Sequence, residues 1–228
     1  MATTTTTTAS RSNAFDAGLL SFVAGFVDTV GFVGLFGLFT AHVTGNFVLI
    51  GAALIHPHNG LVAKLLALPV FLVTVALTTL YVGKGAPRSP KIVLAVQILL
   101  LAAFATLGCV IAPIIDADAP LAIAAGLVGV AAMGVQNAAS RLLFTDLPPT
   151  TVMTGNVTQF AADATQLLLG SGGADDRTAA RARMLKLGLP VATFALGAIA
   201  GALAFLAFSF AALCVPIAAL AITLLRRK

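Results

Sequence analysis

Six stretches of the chain are long and apolar enough to cross a bilayer: residues 14 to 40, 62 to 82, 91 to 113, 119 to 141, 187 to 206 and 208 to 225. A helix needs about 20 predominantly apolar residues to span the hydrocarbon. A soluble fold would have to hide all of this surface behind a charged shell. With 13 Lys and Arg and 8 Asp and Glu in 228 residues, 9% in all, no such shell can be built. The sequence therefore reads as an all-α, multi-pass membrane protein. Residues 1 to 13, MATTTTTTASRSN, form a polar tail without apolar periodicity, expected to be disordered. Residues 14 to 225 form a single integral membrane domain, and 226 to 228 a basic tail.

Two shorter segments, 43 to 55 and 150 to 169, do not fit the pattern of full spans. The first has 13 residues, about 20 Å of helix, short of the ~30 Å hydrocarbon thickness. Both contain the tripeptide TGN, in AHVTGNFVLIG (41 to 51) and TVMTGNVTQF (151 to 160). The expected architecture is thus six transmembrane helices plus two short broken or re-entrant helices. With the N-terminus in the cytoplasm, this places Lys84, Arg88 and Lys91 inside, along with Arg177, Arg181, Arg183, Lys186 and the tail Arg226, Arg227 and Lys228. The loop around Asp116 and Asp118 falls outside. Every strong basic cluster then obeys the positive-inside rule, with both termini cytoplasmic.

An internal duplication accompanies the motif. Thr44, Gly45 and Asn46 lie over Thr154, Gly155 and Asn156 at an offset of 110. GFVD (25 to 28) lies over GVQN (134 to 137) at 109, and LALPV (66 to 70) over LGLPV (187 to 191) at 121. Repeat one runs 14 to 113 and repeat two 119 to 225. A unit with three crossings leaves its copy upside down, so the expectation is two inverted repeats, an arrangement that recurs in transporters.

The motif residues are the candidate site. Thr and Asn favour helix N-caps, and Gly permits the backbone that a break requires, so HVTGN reads as a break and restart with a helix N-terminus at membrane depth. The plainer reading is that small residues let helices approach. Asp28 is an ionisable group inside the first span, either a proton or cation carrier or a structural acceptor for a broken helix nearby. Its repeat counterpart is Asn137, preceded by Gln136, and neither can titrate. His42 has no counterpart; it is either a protonatable gate or an incidental residue at a segment end. Asn156, Gln159, Asp163 and Gln166 share one helical face, suited to an aqueous vestibule or to the interface. Gly197 and Gly201 read as a close-packing surface, and Cys109 and Cys214 as buried thiols, with no metal or redox spacing.

GFVD, TAHVTGN, GVQNA and TTVMTGN, in this order, resemble the YoaK-like family of bacterial multi-pass membrane proteins, a domain of unknown function. The likeness covers residues 14 to 225. It implies an integral protein of a bacterial inner membrane, with motif positions Asp28, Thr44, Gly45, Asn46, Gln136, Asn137, Thr154, Gly155 and Asn156. No biochemical role comes with them.

Among function classes, a transporter or permease for a small solute or ion leads, its site formed by the two TGN breaks with lipid as surroundings. A structural or partner-binding membrane protein is the alternative, with the GxxxG pair as the interface of a homo-oligomer. An enzyme is disfavoured: HExxH, GxSxG and paired cysteines are absent from the sequence. No cofactor is implied. Nucleic acid is disfavoured because the basic residues are scattered beside spans.

Overall fold

The computed structural model describes residues 3–56, 59–83 and 89–227, with side chains from residue 13 onward. Lys84, Arg88 and Lys228, used above for orientation, lie outside the described residues. All regular structure among the described residues is helical: α1 (Thr3–Gly34), α2 (Gly45–Ala53), α3 (Leu61–Val82), α4 (Pro90–Ile111), α5 (Pro120–Leu142), α6 (Met153–Leu168), α7 (Ala174–Phe208), a 3-10 turn (Ser209–Leu213) and α8 (Cys214–Arg226). Helix α1 begins at Thr3, so its backbone takes in most of the polar tail.

Among the described residues, five helical stretches are long and apolar enough to cross a membrane: Asn13–Gly34, Leu61–Val82, Pro90–Ile111, Pro120–Leu142 and the continuous run Ala174–Arg226. The last run contains the two spans expected at 187 to 206 and 208 to 225. Its direction changes at Ser209, which takes φ 51. Beyond that residue Phe210 stacks edge-on against Phe104 and Phe205, and Arg227 reaches Asp16, in the N-terminal half of α1, at 2.9 Å. Helix α8 thus runs back along α1.

Helices α1 and α7 lie side by side and run the same way, because glycines let their backbones meet. A Cβ on Gly25 would overlap Phe194 O, and one on Gly197 would overlap Phe22 O; at Gly201 it would lie 2.7 Å from Phe26 O. The GxxxG surface is therefore filled within the chain by α1 and is not free for a second copy. Helices α3 and α5 make the corresponding contact, Gly134 against Thr74 and Phe71. Pro69 and Pro190, from the similar stretches LALPV and LGLPV, sit inside α3 and α7.

The outer faces carry Leu80, Leu99, Val110, Leu196 and Leu203, all exposed, as a lipid-facing surface requires. Cys109 and Cys214 are exposed as well, which corrects the expectation of buried thiols. They face outward because the inward positions nearby belong to larger side chains, Phe104 and Phe210, both fully buried.

The first span ends earlier than its apolar run suggests. Helix α1 stops at Gly34, not near residue 40, and the reversal falls on Phe36 (φ 53) and Gly37 (φ 84). Neither TGN glycine takes a positive φ. The break is thus made by Phe36 and Gly37, upstream of the motif, and glycine at 37 accepts the left-handed backbone without a Cβ clash. Lys64, buried in the first turn of α3, donates to Phe36 O at 2.8 Å and thereby satisfies a carbonyl released at this end.

Candidate functional site

The site grows from what the broken backbone needs. Where α1 ends, the N–H groups of residues 40 to 42 lose helical partners and must find acceptors. Asp28, one helical face back on α1, supplies them. Its Oδ1 accepts from Thr40 N–H at 2.8 Å, Ala41 N–H at 2.7 Å and, at 3.4 Å, His42 N–H. Of its two sequence readings, Asp28 makes the contacts of the structural acceptor. The other oxygen, Oδ2, lies 2.7 Å from His42 Nδ1.

That division has a chemical consequence. Backbone N–H groups can only donate, so Oδ1 is occupied as an acceptor. The proton this pair can share lies between Oδ2 and His42 Nδ1, and imidazole ordinarily titrates near physiological pH. His42 is half-buried, its ring edge-on to Phe194 of α7 at 5.6 Å. The pair couples a buried carboxylate to a ring that reaches open space.

Asn46 and Asn156 do not act as helix N-caps. Thr44 and Val152 hold the cap positions of α2 and α6, and neither makes a side-chain cap bond. Asn46 instead reaches back across its loop, Nδ2 donating to Phe39 O at 2.9 Å and Oδ1 accepting from Phe39 N–H at 3.0 Å. Asn156 Nδ2 donates to Pro149 O at 2.8 Å. The side chain prefers the loop because residues 43 to 47 already form tight turns, Gly45 N–H to His42 O and Asn46 N–H to Val43 O, that satisfy the first amides of α2. Gly45 is needed for space, since a Cβ would come 2.9 Å from the Phe39 ring, whereas Gly155 faces open space.

The second loop is held by neutral groups. Asn137 Oδ1 accepts from the Thr151 hydroxyl at 2.6 Å while its Nδ2 donates to Met133 O. Gln136 is buried in the core, away from any open space. It accepts from Gln97 Nε2 at 2.7 Å and donates to Leu20 O at 2.7 Å and the Thr150 hydroxyl at 3.2 Å. It ties α4, α1 and the second loop together and is a structural knot.

Between the loops lies a cavity of about 370 Å³. Its polar lining consists of His42 and Thr44 from the first half and Asn137, Arg141 and Thr154 from the second. Leu68, Phe71, Leu72 and Val75 of α3 form its apolar wall. The fold therefore brings four of the sequence candidates to one space. Asp28 stands behind His42, Asn46 and Asn156 brace the loops, and Gln136 is elsewhere.

The polar face of α6 does not line a vestibule. Asn156 and Asp163 are buried, and Asp163 accepts from Gln159 at 3.1 Å and from Arg183 of α7 at 2.7 Å. Arg183 holds the Asp163 carboxyl below its ordinary range. Among the described residues no group of His, Cys, Asp and Glu has the geometry to hold a metal ion.

Sequence reasoning missed Arg141, Lys64, Gln97 and Asp16. Arg141 had one legible signal, its place one turn after Asn137 on the same helical face. For Gln97 and Asp16 the partners come from distant helices, and no local spacing announces them.

The family model described as protein of unknown function (DUF1275) matches residues 17–226. The chain is similar to the UPF0700 transmembrane protein YoaK of Bacillus subtilis (strain 168), 33% identical over 150 residues. That match spans 64% of this chain and 64% of the relative's length. No solved structure matches.

Proposed function

The chain belongs to the DUF1275 family of unknown function, and from that premise we propose that it is a transporter for a small solute, working by alternating access around the cavity between its two loops. The observation that carries this reading is the cavity itself, lined from both halves of the chain at two helix breaks. Interrupted helices in a membrane are tolerated where they are buried in protein or line a cavity, and transporters place substrate sites at such breaks.

In this reading the chain crosses the inner membrane six times, as two inverted repeats of three crossings, with both termini cytoplasmic. The reversal at Ser209 supports the sixth crossing. Support for the repeat comes from the paired contacts α1 with α7 and α5 with α3, and from Asn46 and Asn156, each bonding a carbonyl seven residues back. The His42–Asp28 pair is the protonatable element. Asp28 of α1 and Arg141 of α5 are the charged groups near the ring, and α7 presents Phe194.

The test is a screen of solute uptake into proteoliposomes, with and without an imposed proton gradient. Saturable uptake abolished by His42→Ala supports the reading. Absence of uptake across solute classes, with the protein folded, favours the structural or partner-binding alternative.

A further inference from the structure

The same cavity carries information on the class of solute, an inference that rests on the transport reading. Its permanent charge is one guanidinium. Arg141 lies in the last turn of α5 and takes part in none of the ion pairs among the described residues, which join His42 to Asp28, Arg183 to Asp163, and Arg226 and Arg227 to Asp16. No Asp or Glu lines the space. Asp28, behind His42, is already engaged by backbone N–H groups and by the ring.

Acceptors are scarce there and donors are not. Asn137 Oδ1 is taken by Thr151. Helix α6 opens on the cavity at Val152 and Thr154, its first turn without a side-chain cap, so its positive end faces the same space. Arg141 is exposed, so its guanidinium is open to a ligand, and an anion in planar, two-pronged contact pairs with it best. In the same space the α3 wall of Leu68, Phe71, Leu72 and Val75 offers only hydrocarbon.

We propose that the cavity binds a small monoanion with an apolar body, a monocarboxylate in its simplest form, with the carboxylate on Arg141 and the apolar part against α3. The volume equals that of about twelve waters, which fits a body of roughly that many non-hydrogen atoms at most.

The experiment is calorimetric titration of the full chain in detergent with hexanoate, hexanamide and hexylammonium, repeated with Arg141→Gln and Arg141→Lys. Hexanoate should bind, and hexanamide and hexylammonium should not. Affinity for hexanoate should fall roughly tenfold to a hundredfold in Arg141→Gln, as expected for a lost charged hydrogen bond, and less in Arg141→Lys, which also serves if the glutamine variant does not fold. No binding of hexanoate, binding that ignores Arg141, or equal binding of the amide or amine overturns the anion assignment. Uptake of some other solute in proteoliposomes would then leave the transport reading standing. Arg141-dependent hexanoate binding without any hexanoate flux has the reverse meaning: the anion site stands and the transport reading falls.

Discussion

Asn46 and Asn156 make the same bond from opposite halves of the chain, each side-chain amide donating to the backbone carbonyl seven residues earlier, at 2.9 and 2.8 Å. The second half lacks the return bond, because Pro149 has no N–H to offer the side-chain oxygen as Phe39 does, and has in its place only a weak contact from Asn156 Nδ2 to Met153 Sδ at 3.8 Å. Asn46→Ala should therefore cost more stability than Asn156→Ala. With the loss of each bond and the stranding of its partner, the expected values are about 2 to 4 kcal/mol against about 1 to 2 kcal/mol. Denaturant or thermal unfolding in one detergent checks the order, and equal or reversed costs would refute the loop-brace role.

Asp28→Asn keeps an oxygen for the amides of Thr40 and Ala41 but presents an N–H to His42 Nδ1. The ring must then accept at Nδ1 and carry its proton on Nε2. We predict a folded protein whose His42 tautomer switches, read by nitrogen NMR of labelled histidine, and whose uptake no longer follows a pH gradient. Asp28→Ala, by contrast, strands two buried amides at about 1 to 3 kcal/mol each, and should deplete folded protein from the membrane. Gradient-driven uptake that survives in Asp28→Asn would remove the pair from the coupling mechanism.

The glycines separate by their neighbours. A methyl group at Gly25 or Gly197 meets the backbone of the facing helix, which cannot turn aside, so Gly→Ala at either should cost about 1 to 3 kcal/mol or more by overpacking. Gly155 has no atom near its added methyl, and Gly155→Ala should be neutral or stabilising by up to about 1 kcal/mol through helix propensity. Melting temperatures of the three variants decide this, and a destabilised Gly155→Ala would mean that the glycine serves the transport cycle.

Asp163 gives a pH dependence. Arg183 lowers its carboxyl in the folded protein, so the stabilisation is complete above the ordinary carboxyl value of about 3.9 and is lost as pH falls through the lower folded value. The melting temperature of the parent should exceed that of Asp163→Asn at neutral pH, and the gap should narrow below about pH 4. A constant gap across that range would show that charge pairing contributes nothing at this joint.

Orientation is open to labelling. With Cys109 and Cys214 replaced, single cysteines at the exposed positions Lys91, Ile115 and Asp175 should react with an impermeant reagent from the inside, outside and inside respectively. Labelling of positions 91 and 175 from opposite faces would exclude six crossings.

Composition and apolar run length suffice to determine the helical membrane class, because lipid leaves a chain with so little charge few other ways to satisfy its backbone. A recurring order of motifs is equally legible, since Asn46 and Asn156, and Pro69 and Pro190, stand in matched sequence contexts. What each motif residue bonds to was decided by tertiary structure. The break falls on Phe36 and Gly37 because Asp28 collects the amides beyond it, and Lys64 the carbonyl before it. Asn46 braces its loop and does not cap α2 because the turns at the start of α2 had already satisfied its amides. His42 and Arg141 meet at one cavity from separate halves of the chain. Spacing along a helix specifies which residues share a face. Which acceptor a donor finds across a packed interface depends on distances set by other helices, and those exist only once the chain has folded.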